Sequence, residues 1–101
     1  MYFAVVRQQG PNWDDALPMR EQTGWDEHAA FIEALADEGF VVLVGPLVGA
    51  GKPHRALLVV DADTEETVHE RLADDPWTTM RVLTTTEVDS WQIVIGDPAR
   101  R

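Results

Sequence analysis

Two runs decide the architecture: Phe40-Val41-Val42-Leu43-Val44, ended by Gly45-Pro46, and Arg55-Ala56-Leu57-Leu58-Val59-Val60. Both are short, rich in β-branched residues and bounded by glycine and proline, which is strand rather than helix chemistry. Gly49-Ala50-Gly51-Lys52-Pro53 between them is turn material, so residues 40–60 read as a β-hairpin. Upstream, Trp25, His28, Ala29, Ile32, Leu35 and Ala36 recur at three- and four-residue spacing, the stripe of an amphipathic helix. Thr23 reads as its N-cap, with Asp26 at the third helical position, and Gly39 stands where a helix end wants a left-handed residue. Downstream, Asp63-Thr64-Glu65-Glu66 opens a second helix, with Asp63 as cap, Glu66 in the capping-box position and Val68 and Leu72 facing inward. That helix stops before Asp75-Pro76, because the residue ahead of a proline disfavours helix.

At the two ends, Tyr2 to Arg7 is a first strand, and Val82 to Glu87 with Trp91 to Ile95 supplies strand material around Asp89-Ser90. The order β-α-β-β-α-β is the split-βαβ, ferredoxin-like arrangement, a four-stranded antiparallel sheet with two helices on one face. Residues 10–22 carry Gly10, Pro11, Asn12, Asp14, Asp15 and Pro18 without a steady period and read as a long loop. Strands two and three are apolar on both faces, so both faces want cover, and a second copy of the same sheet supplies it. The expectation is a homodimer.

The chain has 101 residues, which fits one domain, read here as residues 1–101 with a core at about 2–96 and a short charged tail ending in Arg100-Arg101. Acidic residues outnumber Lys and Arg 18 to 8, for a net charge of −10. That balance argues against nucleic acid and anionic membrane as partners, since both need clustered cations. Without cysteine there is no thiolate nucleophile and no Cys-based zinc site. No His-Glu-x-x-His or other compact ligand spacing appears, so no metal and no cofactor is expected. The Met1–Arg7 segment lacks the basic region and cleavage site of a signal peptide, and the apolar stretch 40–50 is interrupted, so the expected location is the cytoplasm.

His28 is the leading candidate for chemistry. It shares the inner stripe of the first helix within about a turn of the N-terminus, where desolvation and the helix dipole oppose its protonation. A carboxylate partner restores basicity and fixes the tautomer; the alternative is a core histidine satisfied by a backbone carbonyl. Asp75-Pro76-Trp77 is either a turn initiator or a carboxylate aimed into a cleft with Trp77 as its wall. Gly45-Pro46-Leu47 either brings backbone close to a ligand or simply ends a strand. His54, beside a turn, and His69, among acidic helix residues, are expected to be exposed.

Taken together, Trp25-Asp26-Glu27-His28 with Phe31 and Leu35, Gly39-Phe40 leading to Gly45-Pro46-Leu47, the capped second helix and Asp75-Pro76-Trp77 resemble the YCII-related (YciI-like) family. The resemblance runs over about residues 2–96. It implies a ferredoxin-like fold that pairs into a dimeric α+β barrel, and a catalytic pair at the positions of His28 and Asp75 beside a cleft lined by Gly45, Pro46, Leu47 and Trp77. One member of that family is a dehydrochlorinase acting on a chlorinated hydroxyhydroquinone; most have no assigned reaction. The 8–22 loop departs from shorter members and reshapes the cleft mouth, so the pair carries over and the substrate does not.

The expectation is therefore a small cofactor-independent enzyme using His28 and Asp75 for proton transfer, as in elimination or isomerisation, on a small, cyclic or aromatic molecule. The alternative is a non-catalytic ligand-binding or interaction domain of the same barrel fold. A heme-free monooxygenase is a third reading, resting on fold analogy alone.

Overall fold

The structure is a computed structural model describing residues 1–98; the tail ending in Arg100-Arg101 lies outside the described residues. Alternation of apolar side chains in β1 (Tyr2–Gln9) buries Phe3, Val5 and Arg7 on one face. β1 lies at the centre of a four-stranded antiparallel sheet with β2 (Val41–Leu47), β3 (Arg55–Asp61) and β4 (Leu83–Ser90), in the order β2-β3-β1-β4. Val5 stands opposite Leu58 on one side and Val88 on the other. Two helices, α1 (Trp25–Asp37) and α2 (Glu65–Ala73), pack Leu35, Val68 and Leu72 against Phe3, Val5, Leu58 and Val60. This is the expected ferredoxin-like α+β fold.

Local chemistry explains the element ends. Gly39, at φ 86°, ends α1. Its N–H donates to the Ala36 carbonyl while that of Phe40 reaches Leu35, the paired bonds of a Schellman ending. The start of α1 differs from expectation: its cap is Gly24 in the left-handed region, without a side-chain cap bond, and the Thr23 carbonyl instead accepts from Trp77 Nε1 at 2.8 Å. The φ of 80° at Gly24 is what selects glycine there.

The start of α2 also shifts by one residue. Thr64 rather than Asp63 is the cap, its hydroxyl accepting from the Thr67 N–H at 3.1 Å. Thr64→Ala is therefore expected to lower stability by about 1 kcal/mol, whereas Asp63→Ala leaves the urea midpoint in place. Equal midpoints for wild type and Thr64→Ala would show that the cap does not hold the helix.

Three more differences follow from sheet position. β2 continues through Gly45-Pro46 to Leu47, because it is an edge strand and Pro46 can forgo its N–H there. Trp91–Ile95 does not extend β4: Trp91 N–H reaches the Tyr2 carbonyl, and at that point β1 has run out of residues to pair. A four-residue helix, α3 (Pro76–Thr79), follows α2 and was not anticipated.

The 10–22 segment is pinned, with one 3-10 turn at Met19–Glu21. The buried Gln22 amide donates to the carbonyls of Asp14 and Leu17 and accepts from the Asp14 N–H. Gly10 and Asn12 N–H groups donate to the carbonyls of Val82 and Arg81. The loop thereby packs Trp13 and Met19 against a second apolar cluster built on Trp77, Val82 and Leu83. Among the described residues no helix is long and apolar enough to cross a membrane.

Candidate active site

The dipeptide that halts α2 also builds the site. Pro76 is the first residue of α3, where its missing N–H costs nothing, and Asp75 is the cap, its Oδ1 accepting from the Trp77 N–H at 2.9 Å. Asp75 is fully buried, so its second oxygen needs donors as well. Arg7 Nη1 supplies one at 2.7 Å, and Arg7 Nη2 donates to the Thr78 hydroxyl, which in turn donates to the Leu72 carbonyl at 2.7 Å. His28 supplies another: Nδ1 lies 2.8 Å from Oδ2 and 2.9 Å from Oδ1.

An ionised carboxylate offers only acceptors, so the proton sits on His28 Nδ1 and that nitrogen donates to Asp75. In the neutral ring Nε2 then keeps its lone pair. Burial is the largest single influence on Asp75 and opposes its charge. The hydrogen bond and charge of His28, the Trp77 N–H and the Arg7 guanidinium together outweigh it, holding the carboxyl below its ordinary range.

The His28 ring is fixed from its face too. It stacks on the Trp77 indole with centroids 4.0 Å apart and planes 8° from parallel, and Trp25 lies 5.8 Å away. An imidazolium formed there gains from the aromatic face beneath it. The ring is 12% exposed, enough to reach an adjoining cleft.

That cleft encloses about 310 Å³ between α1, β2 and α3. Its walls include Trp25, His28, Ile32, Val44, Gly45, Pro46, Ala56, Trp77 and Leu83, with Arg20, Glu33 and His54 also at its lining. An apolar pocket with a few convergent polar groups is the usual setting for a small ligand. Of the residues expected at its wall, Gly45, Pro46 and Trp77 are present, while Leu47 instead faces a neighbouring cavity of about 570 Å³ shared with Trp13 and Lys52.

Two residues of this region escaped the sequence reading. Arg7 closes the first apolar run, and Phe3 and Val5 at two-residue spacing place it on the buried face. His54, expected to be exposed, is half-buried, stacks on Trp13 at 4.2 Å, and lines both cavities. His69 is exposed as expected, beside Glu65 at 3.3 Å. No group of three or more His, Cys, Asp or Glu among the described residues is placed to hold a metal ion.

No curated protein matches the sequence. Among solved structures, the chain is similar to the 5-chloro-2-hydroxyhydroquinone dehydrochlorinase (TftG) of Burkholderia phenoliruptrix AC1100, in complex with 2,5-dihydroxybenzoquinone. The TM-score is 0.64 at 24% identity, over 91% of this chain and 94% of that one, a likeness of fold. The model of the YCII-related domain matches residues 1–92, which hold the whole sheet and all three helices, and the chain belongs to that family.

Proposed function

We propose that this protein is a small acid–base enzyme that moves a proton on a small, flat, oxygen-bearing ring, in an elimination or isomerisation. The observation that carries this is the geometry of His28. Its Nδ1–H is held by a buried carboxylate while the rest of the ring borders an apolar cleft, leaving Nε2 as a base. In an isomerisation His28 takes a proton from one substrate atom and returns it to another. In an elimination the C–H electron pair forms the new double bond and the leaving group departs with its own pair. Asp75 orients the ring and balances the imidazolium. A fold shared with a dehydrochlorinase whose structure was solved in complex with 2,5-dihydroxybenzoquinone supports a ring of that general kind.

The test is turnover of a panel of chlorinated and hydroxylated hydroquinones, read as chloride release and as deuterium uptake from D2O. Wild type is expected to act on at least one, with His28→Gln strongly impaired. Equal turnover by His28→Gln would overturn the assignment. A non-catalytic binding domain is the second reading, favoured by the fact that Asp75 also caps α3 and pairs with Arg7, tasks that need no reaction.

The enzyme is proposed to work as a homodimer. On the sheet face away from the helices, register and alternation place Ala4 and Val6 beside Val59, Leu57 and Leu43. Leu43 is 56% exposed in the single chain. Val59 is already buried in the single chain, and a symmetric copy over this face would cover Leu43 beside it. Light scattering at micromolar concentration is expected to give twice the chain mass, and a stable monomer would rule the pairing out.

A further inference from the structure

Resting on the acid–base function above, we propose that His54 is a second ligand-binding group of the cleft, hydrogen-bonding the oxygen at the far end of a planar ligand whose near end meets His28. Besides the indoles of Trp25 and Trp77, whose Trp77 N–H is already given to the Thr23 carbonyl, the polar side chains at this cleft are Arg20, His28, Glu33 and His54. Arg20 and Glu33 are exposed, whereas His54 is half-buried and held in place. Its backbone N–H donates to Gln9 Oε1 at 2.8 Å, and its carbonyl accepts from the Gln9 N–H at 2.9 Å. Its ring lies flat on Trp13, 12° from parallel. Trp13 in turn meets the edge of Trp77, the indole under His28. Both histidines are thus backed by one continuous aromatic wall.

The ring nitrogens of His54 are engaged by no hydrogen bond or ion pair among the described residues. A side chain clamped through its backbone and its ring face, with both nitrogens uncommitted, is arranged for a ligand. Burial, and next the charge of His28, hold its pKa below the ordinary imidazole value. The shift favours the neutral ring, which has one N–H to donate and one lone pair to accept with. Lys52 and Asp15 line the cavity on its other side. The ligand class that fits is a ring bearing oxygens on opposite carbons.

The experiment is calorimetric binding of hydroquinone, which has two such oxygens, and of 4-methylphenol, which has one. His54→Phe keeps the stack on Trp13 and removes both nitrogens; His54→Gln restores a donor and an acceptor. Hydroquinone affinity is expected to fall about 5–10-fold in His54→Phe, the worth of one hydrogen bond, with recovery in His54→Gln and little change for 4-methylphenol. Unchanged hydroquinone affinity in folded His54→Phe overturns the proposal, as does absence of hydroquinone binding to wild type. Binding that depends on His54 in a chain without turnover would sink the enzyme assignment alone. Turnover that depends on His28 while His54→Phe binds normally would sink this proposal alone.

Discussion

Arg7→Met is expected to lose about 3–5 kcal/mol of folding stability, because it strips one partner from a buried ion pair and leaves the other charged. Both side chains are essentially inaccessible, Arg7 at 1% and Asp75 at 0%, and their contact is 2.7 Å. Methionine matches the length of the arginine stem, so packing is largely kept and the loss reports on the charge. A domain of this size holds roughly 5–15 kcal/mol in total, so the change consumes a large share. The exposed Arg71–Glu38 pair, also 2.7 Å long, contributes at most about 1 kcal/mol by comparison. Urea denaturation decides the matter: an Arg7→Met midpoint close to wild type would mean that the guanidinium is incidental. Acid sharpens the same measurement. Since the Asp75 carboxyl is held below its ordinary range, its stabilising contribution is complete above the unfolded value of about 3.9 and fades as pH falls beneath it. Wild type should therefore lose this contribution on acidification, and Arg7→Met should lose less of it.

His28→Gln is expected to reduce turnover on a responsive substrate by about 10²–10⁴-fold, the usual contribution of a positioned general base. Glutamine still offers an N–H to Asp75, so the carboxylate keeps a donor and the melting curve should move by no more than about 1–2 kcal/mol. The separation of the two readouts is the informative part. Lost turnover with a retained fold makes His28 the base. Retained turnover with a lost fold makes it a packing residue, and the cleft then needs another catalyst.

Where periodicity spoke, sequence and structure agree. The stripe from Trp25 to Ala36, the hairpin runs and the ending at Gly39 rest on spacing and backbone chemistry local enough to be legible. The disagreements share a cause: a tertiary neighbour decided between locally equal options. Asp63 and Thr64 are both good caps; the Ala62 N–H is tied to the Met1 carbonyl of the neighbouring strand, and the helix is capped two residues on, at Thr64. Thr23 was free to cap, but its carbonyl is taken by Trp77 and the chain turns at Gly24 instead. α3 is too short to carry a period, and only Asp75-Pro76 announced it. In the site, the contact between His28 and Asp75 was reachable from the resemblance and the topology. Arg7 was legible from alternation alone, because a charge at an inward strand position demands a buried partner. His54 was not, since its burial depends on Trp13, and the path of that loop is set by Gln22 and by the carbonyls of Arg81 and Val82.

The two outer strands of the sheet bear on how the protein behaves when crowded. An uncapped strand edge is a template for another chain, and extended stacks of this kind grow into aggregates. Here one rim is β2, which carries Pro46, and the other is β4, which carries Glu87 and Asp89 on a chain already at net charge −10. Proline withholds a donor from any incoming strand, and carboxylates repel a second copy of themselves. Sideways growth into open-ended fibres is thereby discouraged at both rims.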